Sequence, residues 1–407
     1  MDWGFVTDRL AVTFRNEKWI GAHERRFVSE TLYGLVRHLR RIDLALERGR
    51  RTKKSPRDFE RLLALLVLEK QLEPAAAAKV EPDLDWRAVA TVDDVIASER
   101  NQVTRIALAA SLPDWLAKRF VADWGSEAEA LVLALNQRAP MTVRANTLVT
   151  SRDALAMELE KATIKTQPGK WCETALVVES RTNLFALDAF KRGALEAQDE
   201  GSQLLAELAH RADVAKPLVI DYCAGAGGKT LAIAAQLANR GRIIATDIDD
   251  KKLDELRKRA RRAGVSNVQA VPLENGAWPR ELDSMRGKAD VVFVDAPCSG
   301  IGALRRNPEA RWRMREQDIE GFQQKQLAIM KNAIELAAPG ARIVYATCSL
   351  LTAENADVVG RLAGVDLVEL RSVLADRTEL SREGSFTVTP DRHGTDGFYA
   401  QIMTRAR

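Results

Sequence analysis

Along the first third of the chain apolar residues recur at helical spacing, with Leu32, Leu35, Val36, Leu39, Ile42 and Leu46 on one face. Leu62 to Leu68 is apolar on nearly every face, the pattern of a helix at the centre of a bundle. Residues 1–135 are therefore predicted to be all-helical, with the basic stretch 48–57, which holds Gly49 and Pro56, as a loop. Beyond it the period changes. Met141 to Leu148 and Ala175 to Val178 read as strands and Arg152 to Glu160 as a helix, a small α+β segment over 136–215. From 216 onward short β-branched runs alternate with helical stretches, with strands near 218–221, 242–247, 267–272, 290–295, 341–347 and 397–404, and with Gly241 and Gly264 where helices stop. The alternation predicts a doubly wound α/β domain over 216–407, whose ligand crevice lies at the carboxyl ends of its strands.

The stretch DYCAGAGGKT, 221–230, occupies the first such strand end. Gly225, Gly227 and Gly228 remove side chains that would keep a ligand from the backbone, and helical spacing resumes at Thr230. A phosphate-binding P-loop would need glycine where Cys223 stands, and the dinucleotide pattern finds Thr230 in place of its third glycine. The second strand ends in Asp247, about twenty residues on, where a doubly wound nucleotide-binding fold places the acid that accepts from ribose hydroxyls. An adenosine without a phosphate fits both facts and, with the cysteine chemistry below, points to S-adenosylmethionine.

Composition narrows the class without changing that picture. The 407 residues are 46% hydrophobic and 29% charged, ordinary for globular domains, and no apolar run approaches a membrane span. The start, MDWGFVTDRL, is not a secretory signal. The four cysteines, Cys172, Cys223, Cys298 and Cys348, show no CxxC spacing, so neither a disulfide framework nor a metal site is expected. A cytoplasmic monomer without metal or membrane contact is the expectation. The net charge of +4 is modest, but positive residues cluster at 48–57, at Lys251–Arg262 and at Arg305, Arg306, Arg311, Arg313 and Arg315. The second cluster reads as a solvated helix face and the third as the candidate for RNA phosphate contacts.

Cys298, in DAPCSG, and Cys348, in ATCSL, both stand at predicted strand ends facing the crevice. A lone free cysteine is as often a small buried hydrophobe as a reagent. Two at equivalent strand ends beside a cofactor loop fit the methylation of a pyrimidine at C5, which needs a thiolate to add at C6 before C5 becomes nucleophilic. Thr352, as the N-cap of a following helix, would bring amide dipoles toward Cys348. Asp295 is placed to hold the N3 and N4 edge of the ring.

Taken together, DYCAGAGGKT, the DID at 247–249, DAPCSGIGALRRNPEARW, ATCSLLTAEN and the closing DGFYAQ resemble the RsmB/Sun family of RNA cytosine-5 methyltransferases, over about residues 140–407. The resemblance implies a Rossmann-like methyltransferase domain and S-adenosylmethionine as donor. It implies Cys348 as the nucleophile and Cys298 as the thiol that assists product release. It implies cofactor contacts from Cys223, Ala224, Gly225, Ala226, Gly227, Gly228 and Lys229, ribose binding by Asp247, and a role at the reaction centre for Asp295. RNA contacts would come from Arg144, Asn146, Arg305 and Arg306. Two departures stand out: the loop carries Gly225 and Ala226 where the family usually has Ala and Pro, and Asn275 stands where it commonly has an acid, so that a neutral amide would meet the adenine. The stretch RRFVSETLYGLVRHLRRID is similar to the opening of NusB-like RNA-binding helical domains, which favours ribosomal over transfer RNA. A non-catalytic assembly factor of the same fold is the alternative from another class. A DNA cytosine-5 methyltransferase would lack the thiol of Cys348.

Overall fold

A computed structural model describes residues 6–50, 55–179, 182–274, 278–374 and 377–406. The chain forms two compact units, one of residues 1–138 with 303–318, the other of 139–302 with 319–407. The sequence-based divisions at 135 and 215 differ from this in two ways: residues 139–215 join the large sheet's unit, and an arginine-rich segment from within the α/β region joins the helical one. No described helix is long and apolar enough to cross a membrane.

The helical unit is built on Ala22–Gly49, kinked at His38, and on Asp58–Leu68. Ile42, Ala45 and Leu46 of the first meet Leu63, Ala64, Val67 and Leu68 of the second, together with Trp86, Val89 and Val92. Ile42, Leu46 and the run to Leu68 are positions that the helical periodicity picks out; Ala45, Trp86, Val89 and Val92 are not. The first basic cluster is only partly visible, because Arg51, Lys53 and Lys54 lie outside the described residues. Segment 303–318 enters a second cluster through Trp312, which packs with Val6, Leu10 and Val36 and donates its indole N–H to the Val36 carbonyl at 2.8 Å.

The other unit holds two sheets. In the smaller, β1 (Met141–Ala145), β2 (Thr166–Pro168), β3 (Ala175–Val178) and β4 (Leu195–Ala197) pair antiparallel in the order β2-β3-β1-β4, covered by helix Arg152–Lys161. The larger contains β5 (Leu218–Asp221), β6 (Arg242–Asp247), β7 (Val268–Pro272), β8 (Ala289–Asp295) and β9 (Ala337–Thr347) in parallel. The last strand, β13 (Phe398–Arg405), runs antiparallel to β9. The sheet also carries three short strands that the sequence pattern does not pick out: β10 (Val365–Leu367) and β12 (Ser385–Val388), both on β13, and β11 (Ser381–Arg382) on β12. The sheet path runs β11-β12-β13-β9-β8-β5-β6-β7.

Strand alternation sends Val219, Val291, Phe293 and Val344 to one face, against helices Glu200–Glu207 and Gly228–Gln236. Ile220, Val292, Val294, Ile343 and Tyr345 go to the other, against Met330, Ala333 and Leu336 of helix Glu316–Leu336. Both faces are covered, which is why these strands read as continuous apolar runs. From β5 the chain steps one way to β6 and β7 and later the other way to β8 and β9, and this reversal of order opens a crevice at the strands' carboxyl ends.

Candidate active site

The glycine-rich loop sits at that crevice, at the end of β5. Gly227 has φ 83° and ψ 16°, and a Cβ there would stand 2.6 Å from Leu256 Cγ, so glycine is required both by backbone angle and by contact. The N–H groups of Ala224, Gly225 and Gly227 close the turn itself, donating to the Thr246 carbonyl, to Asp247 Oδ2 at 2.9 Å and to the Ala224 carbonyl. Asp247 also accepts from the Asp249 N–H through Oδ1 at 2.9 Å, so this acid shapes the loop as well as ending β6. A Cβ built on Gly225 would meet no atom within 4 Å. Residues 223–226 are half-exposed, and the first amides of helix Gly228–Gln236 lie beyond them. Room above the loop and a strand-end acid suit an adenosine-bearing ligand. Asn275 lies outside the described residues.

Behind the loop, Arg259 reaches the Ala226 carbonyl at 2.8 Å and Glu196 at 2.9 Å, and Arg262 joins the same glutamate. The second basic cluster is thus only partly the solvated helix face expected, because two of its arginines brace the loop and a buried carboxylate. At the base of the loop the Thr230 hydroxyl donates to Asp221 at 2.6 Å, and burial pushes the Asp221 carboxyl up to about 7.

Strands β8 and β9 bring the cysteine motifs together. Asp295 pairs with Ala346, and the ladder continues with the Ala296 N–H on the Ala346 carbonyl at 2.8 Å. Cys298 and Cys348 follow on the two loops, and their sulfurs stand 3.2 Å apart. The hydrogen bond to Cys348, and burial after it, hold the Cys298 thiol well above the ordinary thiol range. Gly302 lies against the same loops: its N–H donates to the Cys348 carbonyl at 2.9 Å, and a Cβ there would be 2.1 Å from the Gly397 carbonyl oxygen. Strand β13 is thereby tied in at its DGF start.

Lys229, expected among the cofactor contacts, also reaches the end of β8. Its Nζ donates to Asp295 Oδ2 at 2.6 Å and lies 5.7 Å from the Phe398 ring centroid. Burial works against its charge, but Asp295, and after it Cys348 and Asp221, outweigh that effect and raise its pKa. This is a source of positive charge near Cys348. The helix expected from Thr352 is absent; Thr352–Glu354 is a single 3-10 turn, and the four-residue helix Ala356–Val359 follows an Asn355 whose side chain makes no capping bond.

The expected RNA contacts need correction. Arg144 is 4% exposed and donates from Nε to Gln198 at 2.7 Å, within a cleft also lined by Trp171, Gln203 and Arg377. Asn146 is buried, donating to the carbonyls of Gly193 and Ala263, both at 2.8 Å, so it links the small sheet to the end of helix Asp250–Arg262. Arg305 is buried in the helical unit on the Arg138 carbonyl at 3.1 Å, leaving Arg306 as the exposed member of the four. Side chains engaged inside the fold are not available to phosphates.

Sequence reasoning missed the buried acid behind the cysteines. Glu354, within ATCSLLTAEN, accepts from Ser299 and Ser349, the residues that follow Cys298 and Cys348. A glutamate among apolar and small residues six positions after a cysteine was the available signal.

Comparison with known proteins bears on this geometry. Residues 210–404 match the family model described as 16S rRNA methyltransferase RsmB/F, and residues 112–184 match the ferredoxin-like domain of RsmF/B-like methyltransferases. The chain belongs to the RsmB/F methyltransferase family. Its members use S-adenosylmethionine. The chain is 29% identical to the probable ribosomal RNA small subunit methyltransferase B of Synechocystis sp., over 94% of this chain and 92% of that protein. It is 31% identical to ribosomal RNA small subunit methyltransferase B of Klebsiella pneumoniae, over 72% of this chain and 66% of that protein. The fold is similar to that of NSun6 from Pyrococcus horikoshii, solved with SFG, with a TM-score of 0.64 and 22% identity over 72% of this chain and 98% of that one. The second family match begins at residue 112, just before helix Asp114–Trp124, so the family's own domain edge falls well before the start of β1.

Proposed function

We propose that this protein transfers a methyl group from S-adenosylmethionine to C5 of a cytosine in ribosomal RNA, through a covalent bond between Cys348 and C6. The observation that carries the reading is the pair of thiols 3.2 Å apart on adjacent strand ends, beside an Asp295–Lys229 ion pair and a glycine loop. The names borne by the relatives favour ribosomal RNA over transfer RNA.

Residues 223–228 and Asp247 hold the donor. When bound, it supplies a methyl group on a sulfonium, electrophilic and without need of a metal. The Cys348 thiolate adds to C6, and the electron pair released into the ring makes C5 the nucleophile. Asp295 accepts from the N4 amino group, and Lys229 beside it offsets the negative charge the ring gains. Methylated C5 still carries its hydrogen, which must leave as a proton before the C6–S bond can break.

Cys298 is the base for that step. While Cys348 is a thiolate, its neighbour keeps its proton, because two thiolates at contact distance repel. Once the Cys348 sulfur is bound to C6 its charge is gone, and with it one of the influences that keep Cys298 protonated. Cys298 then loses its own proton to solvent, the thiolate so formed takes the C5 proton, and the C6–S bond breaks with its electron pair returning to sulfur to restore the Cys348 thiolate.

The test is cytosine-resolution mapping of methylated positions in total RNA from cells with and without the gene, paired with the Cys298→Ala variant in vitro. Loss of a ribosomal RNA site with the gene, and accumulation of an RNA–protein adduct that survives denaturing electrophoresis, are the expected results. An adduct formed by Cys348→Ala with Cys298 intact would reverse the two roles.

A further inference from the structure

Glu354 is wholly buried. Its Oε1 accepts from the Ser299 N–H at 2.8 Å and from Gln326 Nε2 at 3.2 Å. Its Oε2 accepts from the Ser299 hydroxyl at 2.5 Å and the Ser349 hydroxyl at 2.6 Å, while its main-chain carbonyl receives the Tyr345 hydroxyl at 2.6 Å. The next residue extends the pattern: Asn355 donates to the Ser349 carbonyl at 3.0 Å and accepts from Thr347 at 2.6 Å. A buried carboxylate persists only where donors replace water, and hydrogen bonds to a charged acceptor are among the strongest in proteins.

The donors come from three places: the loop after β8, the loop after β9 and helix Glu316–Leu336. Two of those places are the cysteine loops. Ser299 follows Cys298 directly and Ser349 follows Cys348 directly, so each sulfur is one peptide from a bond to the same carboxylate. The two serine hydroxyl oxygens stand 3.2 Å apart on that carboxylate.

We propose that Glu354 is a positioning residue that clamps the two cysteine loops to one another and so sets the distance between the sulfurs. The proposal rests on the reading of Cys298 and Cys348 as the reacting pair. A glutamine has the same shape but not the charge: the four contacts fall two on each carboxylate oxygen, so its single oxygen keeps the Ser299 N–H and Gln326 while its NH2 forces the two serine hydroxyls to turn from donating to accepting, and neutral bonds replace charge-assisted ones. Removing the charge also removes one of the influences that keep Cys298 protonated, so the distinction between the two thiols weakens together with their spacing.

The experiment uses the full chain, as wild type, Glu354→Gln and Ser349→Ala, and two measurements. The first is the equilibrium of the Cys298–Cys348 pair with oxidised glutathione, read by peptide mass spectrometry. One cysteine displaces a glutathione thiolate to form a mixed disulfide, and the second displaces the other, so that two protein thiols are oxidised and one glutathione disulfide becomes two thiols. This gives the effective concentration of one thiol at the other, and needs neither RNA nor methyl donor. The second measurement is kcat and KM for methyl transfer.

Glu354→Gln is expected to lower the effective concentration by about tenfold or more, and kcat by about 10²-fold with KM within about twofold, since a misplacement near 1 Å costs about that much. Ser349→Ala should fall between it and the wild type. A folded Glu354→Gln variant with the wild-type glutathione equilibrium overturns the clamp, whatever its kcat. If that variant does not fold, a wild-type equilibrium in Ser349→Ala overturns it instead. Should the wild type methylate no cytosine while the equilibrium shifts as expected, the clamp stands and the methyl-transfer reading fails.

Discussion

The stretch from Asp295 to Trp312 reads as one motif and has two fates. Its first part, 295–302, stays with the large sheet and holds the reacting groups half-open, with Asp295 on Lys229 and Cys298 against Cys348. Its second part, 303–312, belongs to the helical unit and is turned to structure. There Arg311 is 1% exposed, donating to the carbonyls of Pro308 and Ala110 and to Asn136 Oδ1, and burial drives its pKa down to about 9. Polar residues in a catalytic crevice keep capacity for a ligand; the same residue types in a core have spent it on main-chain carbonyls. Sequence shows which residues are polar and not which of these two conditions they are in.

The largest expected effect lies on the crevice side. Cys348→Ala should lower kcat by about 10⁴-fold or more, as loss of a nucleophile does elsewhere, with no change in the melting temperature. Residual transfer at near wild-type rate would place Cys348 with Arg311, among residues that serve the fold.

On the other side of the comparison, Arg311→Met should cost about 3 kcal/mol of stability, measured by urea denaturation, because several buried acceptors lose their donor. Donor affinity measured on the folded variant should match the wild type. A weakened donor site with unchanged stability would break the contrast.

A smaller effect concerns the buried acid under the glycine loop. The folded-state pKa of Asp221, about 7, is raised above an ordinary value of 3.8. The folded state therefore holds the extra proton, and the stability it contributes is complete below the ordinary value and is lost as pH rises through 7. Wild type should lose stability relative to Asp221→Asn across that window, by at most about 1.4 kcal/mol per pH unit. Parallel curves for the two proteins from pH 4 to 7.5 would sink the assignment.

The smallest effect belongs to Arg306, the exposed residue just past the division. Arg306→Ala should change stability by less than about 0.5 kcal/mol and weaken RNA binding a few-fold at low salt, with the difference fading as salt is added. A loss of RNA affinity that persists at high salt would mean a specific contact rather than a phosphate one.

Period and local composition were enough to read the main strands and their ends. The runs near 218–221, 242–247 and 290–295 match Leu218–Asp221, Arg242–Asp247 and Ala289–Asp295, because strands buried on both faces leave an unbroken apolar signature. Three short strands near the carboxyl end, β10 to β12, were missed: strands of two to four residues carry too few positions for a period to show. The helical periodicity of Leu35 to Leu46 likewise pointed to Ile42 and Leu46 as core, since an amphipathic helix fixes its buried face locally.

What the sequence determined by itself is therefore the set of elements and the order of chemical groups at their ends: a glycine turn, an acid, a cysteine and another cysteine, each at a strand's carboxyl end. Those properties are local, set by a few neighbouring residues. Tertiary structure alone decided that Lys229 faces Asp295, that Arg144, Asn146 and Arg305 are spent inside the fold, and that Glu354 joins two loops more than fifty residues apart in the chain for one and five for the other. Each of these is a choice of partner for a polar group, and a partner brought by the pairing of β8 with β9 or by the packing of a distant helix has no trace in the neighbouring sequence.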